Sequence, residues 1–550
     1  MANEFIARNG IYALCSSQVT GSLSVTSDIN GDTRLKIGAS HTLTGTNASI
    51  AGGASNTASG NCSFVGGGCC NRATGASSVI PGGFLNCTVS NFETIGGGRC
   101  NLISAGDDGT IAGGLLNCIS TTRGFVGGGY GNSVSGYTAT VTAGQFNLAS
   151  SQYSIVGAGF CNIASGDHSV VVGGCCNTAS SYRSAVLGGT SNRASGACSA
   201  VVGGSFNTGS GVFSFVGGGL CNCAIGACST VSGGYLNKAC AASATVAGGL
   251  RNTASGACSF VGGGCNNTAS GGYSAISSGT TNVSSGGYSI IGGGAQNTAS
   301  GYISVVAGGY LNKACNGRST VAGGQSNTAS GYYSIVGGGI SNTASGCRSF
   351  IGGGSNNTAS GCYSIASGRL NTASGYSSII AGGRSNTVSG NDSFIGGGHG
   401  NTILGTCSFI GGGCQNVVSG SWETIGGGCC NTTSGSRSTV SGGYQNKAIA
   451  YAAVVGGGGC NTNTGIESTI SGGYCNCIIS GNQATIGGGF CNCACGPQAT
   501  AAGGNRSCAC GWRVTVAGGC WNCAWTTGSF VGGGRCNSSV QCYSTLTGGE

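Results

Sequence analysis

The chain has 550 residues, of which 118 are Gly and only 2 are Pro, and about 6% are charged. Disordered chains are rich in charge and Pro, and collagen needs Gly at every third position with abundant Pro, so both classes are excluded. The formal net charge of +9 is spread thinly, without the Lys/Arg cluster that neutralises phosphates, so nucleic acid is not an expected partner.

The segment from Met1 to Ala13 contains Glu4 and Arg8 and no long apolar core, which argues against a secretory signal. No later stretch approaches the roughly 20 apolar residues of a membrane-spanning helix, so no membrane insertion is expected. Past residue 45 a repeat takes over. Aligned on the Asn of G-G-x-x-N, it runs Asn56, Asn71, Asn86, Asn101, and then, one residue out of step, Asn117. Steps of 15 residues lead on to Asn357. A one-residue deletion precedes Asn371, and an insertion precedes Asn492. Ser507 then stands in the Asn slot, before Asn522 and Asn537. About 33 repeats fill residues 46–550, and the register gives no internal boundary.

One repeat, Asn327 to Ser341, holds two short β-compatible stretches separated by two Gly-bearing bends. Gly at this density costs a helix roughly 1 kcal/mol per residue relative to Ala. The predicted fold is therefore an all-β, parallel β-solenoid. The slot six residues before each Asn holds Ile50, Val65, Ile80 and so on to Val531, with Ala501 as the only departure. A β-branched residue once per turn marks a stacked interior column, which includes Val306, Val321, Val336 and Ile351. The neighbouring slot holds Phe64, Val79, Thr94, Phe125, Ile155 and Phe350 and is never charged. Adjacent strand residues face opposite ways, so this strand predicts two buried faces. One fills the coil; the other needs a partner, most simply a second and third copy of the chain. The alternative is a monomer with a semi-apolar flat face.

The Asn column, including Asn297, Asn312, Asn327, Asn342 and Asn357, is expected to be structural. Coils about 4.8 Å apart let amides hydrogen-bond up and down the stack, and Asn tolerates a left-handed bend. The 36 Cys lie, Cys15 excepted, in slots otherwise held by Ala, Ser, Thr or a large apolar residue. They read as small buriable residues, with disulfides between coils or chains, for example along Cys460, Cys475 and Cys491, as a second reading and metal binding as a third. No cofactor or metal is expected. Asp107/Asp108 reads as a solvated bulge; His41, His168 and His399 lie in different coils, and no G-K-[ST] follows any Gly string, so an enzyme is not expected. Candidate binding residues are aromatics after the first Gly bend, Tyr273, Tyr288, Tyr332, Tyr333, Trp422 and Trp512, with packing between coils or chains as the competing role.

The recurring N-T-A-S-G followed by S-x-[VI]-x-G-G, as in Asn297–Gly301 with Ser304–Gly309, resembles the head repeat of trimeric autotransporter adhesins. The resemblance spans the whole array. It implies a left-handed β-roll in each chain, three chains packed side by side, and adhesion to a surface ligand. That family also has a signal peptide, a coiled-coil stalk and a C-terminal membrane barrel, none of which is recognisable here. The opening Met1 to Gly10, with Val19 to Val25, resembles the N-termini of tailed-phage fibre and virion-appendage proteins. On that resemblance, residues 1–45 form an attachment or capping segment that docks on another virion protein, and 46–550 a projecting shaft. The expectation is a homotrimeric phage fibre made in the host cytoplasm, displayed on the virion surface, and contacting a host glycan or protein. An extracellular bacterial adhesin is the alternative. An ice-binding solenoid is a third reading, weakened by Phe and Ile that interrupt the Thr slots.

Overall fold

The computed structural model describes residues 35–549. The chain divides into two compact units, residues 1–138 and 139–550. In each, the described residues form a parallel β-solenoid of about 15 residues per turn, with no helix. Pairing begins at Leu35–Lys36, opposite Ser49–Ile50, and so reaches into the segment 1–45. Residues 1–34, which carry the proposed attachment motif, lie outside the described residues.

A coil from the second unit shows how sequence becomes shape. Its strands are Thr328–Ala329 and Ile335–Val336. Thr328 lies opposite Lys313 and Thr343, and Val336 opposite Val321 and Ile351, so each strand is sandwiched between its own copies. A third line of pairing runs through single residues, Gln325 to Ile340 to Ser355. The sequence reading finds two strand columns and misses this one. A single residue between a Gly and a left-handed bend has no neighbours with which to make a β pattern.

Strands stop after two residues because the backbone takes a positive φ at three places per coil, once at a Gly and twice at other residues. Tyr333 and Ser341 have φ of 58° and 56°, and residues in the corresponding slots repeat this. The second of these turns lies on the residue before the Asn, whereas the sequence reading placed the left-handed geometry on the Asn itself. The Asn is committed elsewhere, since its own N–H must point along the stack. The slot three before each Asn is Gly throughout. At Gly339, φ is 90°, and a Cβ would lie 2.0 Å from the Gly354 oxygen and 2.7 Å from the Asn342 Nδ2.

Inward residues are few: Asn327, Ala329, Gly331, Ser334 and Val336 are buried in this coil. The core is thus one residue wide per slot and extends by stacking. Val306, Val321, Val336 and Ile351 are fully buried. Volume is exchanged between slots: where Ile103 and Ile119 replace the Ala, Gly109 and Gly124 replace the Ser. A Cβ at Gly124 would come within 2.6 Å of Ile119 Cγ2. The 14-residue coil corrects the sequence alignment. Its buried residue is Ala366, opposite Ile380, while Ile365, six before Asn371, faces outward. The missing residue lies in the Gly bend after the strand, so counting back from the Asn lands one place short. Ala366 joins Ala501 as a departure from the β-branched column.

Candidate binding surfaces

The Asn column is a hydrogen-bonded spine and offers nothing to a ligand. Asn297, Asn312, Asn327, Asn342 and Asn357 are fully buried. Each Oδ1 accepts the backbone N–H of the next Asn, at 2.9 Å from Asn327 to Asn312 and 3.0 Å from Asn342 to Asn327. Asn327 Nδ2 donates to the Gly323 and Gly339 carbonyls at 2.9 and 2.8 Å. Direct amide-to-amide bonds are occasional, as from Asn357 Nδ2 to Asn342 Oδ1. The ladder therefore joins side chain to main chain, more than amide to amide.

His41 occupies the same slot in the coil before Asn56. Its Nδ1 accepts the Asn56 N–H at 3.0 Å, and its Nε2 meets the Ile37 carbonyl at 2.9 Å. The imidazole thus makes both kinds of contact that the amide makes. Counting 15 residues back from Asn56 would have found it. Ser507, in the same slot, donates its N–H to Asn492 Oδ1, but its hydroxyl is buried without a partner.

Two buried carboxylates were not singled out by the sequence reading. Glu93 and Glu423 replace the inward Ser, and each is followed by Thr-Ile-Gly-Gly-Gly. Glu93 Oε2 accepts the Val89 and Ser90 N–H groups at 2.8 and 3.0 Å, while Oε1 has no partner. Burial pushes the Glu93 carboxyl up to about 8. Glu423 is also raised by burial, although the Gly420 N–H and the Ser438 hydroxyl bind it at 2.9 and 3.0 Å. An acidic residue at the inward slot was the available signal.

The cysteines are not buried. Every described Cys is a free thiol, half-buried or exposed, which corrects the reading of Cys as a buriable filler. The cause is the slot: Cys stands at the bends and on the outer strand face, not in the inward set. Cys477, Cys493, Cys508 and Cys523 lie in register on consecutive strands. Cys493 Sγ is 3.2 Å from Cys495 Sγ, and the hydrogen bond from Cys510 lowers Cys508 to about 6. Among the described residues, no group of three or more His, Cys, Asp or Glu is arranged to hold a metal ion. Asp108 faces Arg123 at 3.7 Å on an exposed bulge, His168 stacks on Tyr153 at 4.8 Å, and His399 lies 3.8 Å from Cys414 Sγ.

Two outward surfaces remain. The first is the strand face beside the core column. Phe350 and Ile335 are each 40% exposed there, with Phe215, Phe260 and Phe409 in the same slot on other coils. The second is the bend five and six residues after each Asn. The candidate aromatics all stand on it: Tyr332 and Trp512 at the fifth position, and Tyr273, Tyr288, Tyr333 and Trp422 at the sixth. Tyr273 and Tyr288 stack at 4.8 Å with planes 2° apart, Tyr332 packs edge-on against Tyr333, and Arg513 lies 4.5 Å over Trp512. Coil-to-coil packing of rings and exposure to solvent coexist, because a ring on a 4.8 Å stack covers its neighbour's face and leaves its edge free.

No family model matches the chain, and no curated protein is similar to it.

Proposed function

We propose that the chain is a structural fibre protein of a virion, most simply of a phage, that assembles as a homotrimer of left-handed β-rolls and projects to meet a host surface. The observation that carries this reading is the uncharged strand face. On six consecutive coils, from Ile335 to Phe409, it carries Ile or Phe, and no described element covers them, while Thr holds the slot on most coils from Thr424 to Thr515. Phe350 and Ile335 keep 40% of their surface exposed, and Phe260 keeps 41%. Contiguous apolar patches of this kind mark protein interfaces. Burying the exposed 40% of one such Phe gains roughly 1–2 kcal/mol, and the gain recurs along the stack. A parallel in-register trimer covers all three faces at once and keeps every coil equivalent. The Cys, Tyr and Arg bends stay outside the packed face as display positions. The N-terminal segment 1–45 docks on another virion protein, and weak surface contacts are multiplied by trimer symmetry and copy number.

The test has two arms. Light scattering should give three times the chain mass, and Phe260→Asp with Phe350→Asp should shift it to the chain mass. A monomeric wild-type chain would sink the trimer. Immunogold electron microscopy of the source particle should label projections, and label confined to a cell surface would favour the adhesin reading.

A further inference from the structure

We infer that the bend strip between residues 273 and 376 is a contact site for an anionic polysaccharide. This rests on the surface-attachment reading above and names its ligand class. The strip is a line of rings and guanidinium groups, one coil after another. Tyr288 meets Tyr302 edge-on at 5.7 Å. Arg318 lies 5.0 Å over Tyr333; Arg348 lies 5.6 Å over Tyr333 and 5.3 Å over Tyr363. Arg348 Nη1 also donates to the Tyr363 hydroxyl. The rings hold the guanidinium groups flat, so less freedom is lost when they engage an anion.

Charge decides the ligand. Between Asp167 and Asp392 there is no Asp or Glu, yet nine Lys and Arg stand there. That equals the formal net charge of the whole chain, +9. No carboxylate neutralises Arg318 or Arg348, so their free N–H edges remain available to sulfate or carboxylate, which Arg binds as a fork. Arg318 and Arg348 are two coils apart, roughly 10 Å. That is near the length of a disaccharide unit in an extended chain. Tyr302 is 56% exposed, and its edge and hydroxyl suit sugar hydroxyl groups. Single-stranded nucleic acid fits less well. Bases need open ring faces to stack on. Here Tyr273 and Tyr288 cover each other, and guanidinium groups cover Tyr333.

The test measures binding of the full chain to heparin, alginate, neutral dextran and a thymidine oligonucleotide by calorimetry. Heparin or alginate should bind, more weakly as salt rises, and dextran should not. Arg318→Ala with Arg348→Ala should weaken that binding about tenfold or more. Arg506→Ala with Arg535→Ala, which removes equal charge on distant coils, should leave it within about twofold. Circular dichroism checks that both variants keep the wild-type fold. Equal losses in the two pairs, oligonucleotide binding as tight as polysaccharide binding, or no binding by either polyanion would overturn the inference. If binding persists but particle labelling fails, the fibre reading falls and the site stands.

Discussion

Asn327 is the most direct probe of the spine. In Asn327→Ala the Asn342 N–H loses its 3.0 Å acceptor inside the coil, and the Gly323 and Gly339 carbonyls each lose a donor. One fully orphaned N–H and two weakened carbonyls sum to roughly 3–5 kcal/mol. Asn327→Asp separates the two functions of the amide. It keeps an acceptor for Asn342 but sets a charged oxygen against two carbonyls, so at pH 7 it should be worse than Ala. Solenoid stability is a sum of coil and neighbour terms, so the damage should stay local. Hydrogen-exchange mass spectrometry on the full chain reads this directly. Amides of the coils flanking Asn327 should exchange between about a hundred and several thousand times faster, with distant coils unchanged. A loss below about 0.5 kcal/mol for Ala, or Asp tolerated better than Ala at pH 7, would refute the ladder as described.

Gly339→Ala should cost about 3 kcal/mol or more through φ strain and the clash with Gly354, whereas Gly323→Ala, with nothing within 4 Å of its added Cβ, should stay within about 0.5 kcal/mol in urea denaturation. Ser507→Asn should stabilise by about 1 kcal/mol, because an amide replaces a hydroxyl that has no partner; exchange of coils 493–522 checks this. For Glu93 the sign follows from linkage: its folded carboxyl is raised from 4.5 to about 8, so the folded state holds the proton more tightly. Stability should be full below about 4.5 and fall as pH rises towards 8. Glu93→Gln should remove this slope and gain roughly 2–4 kcal/mol over wild type at pH 9, and parallel pH curves from urea titrations would refute it.

Much of the fold was legible because each inward slot carries a strong chemical signature. Val336 and its equivalents are apolar and, Ala366 and Ala501 apart, β-branched, and Asn327 and its equivalents accept and donate in fixed directions. Any 15-residue alignment exposes both. What escaped depends on geometry between slots. Ala366 is buried because the deletion lies after its strand, and no residue count can place a gap within a Gly run. The bridge at Ile340 and the left-handed turn at Ser341 leave no pattern, since outward residues there are unconstrained. Cysteine misled for a related reason. Its usual burial is a property of ordinary cores, whereas here the inward slots are held chiefly by Asn, Ala, Gly, Ser, Val and Ile, and Cys stands in the outward ones. Among the candidate aromatics, membership of one bend was readable, but the ring-over-ring stacking of Tyr273 on Tyr288 was not.

The same separation of inward and outward slots bears on how the chain can carry a positive row at all. Coils repeat every ~4.8 Å, so like charges in one slot of adjacent coils repel by roughly 0.9 kcal/mol even in water, and by more at the less polar protein surface. Along the bend, Arg318 and Arg348 avoid this by leaving one coil between them, and Tyr333 fills that coil with a ring that attracts both. The Tyr is thus what makes the Arg spacing stable without a carboxylate. Placing an Asp in the strip would relieve repulsion equally well but would cancel the field. That the stretch between Asp167 and Asp392 uses rings and no acids is what a surface built to hold an anion requires, and what a merely solvated edge does not.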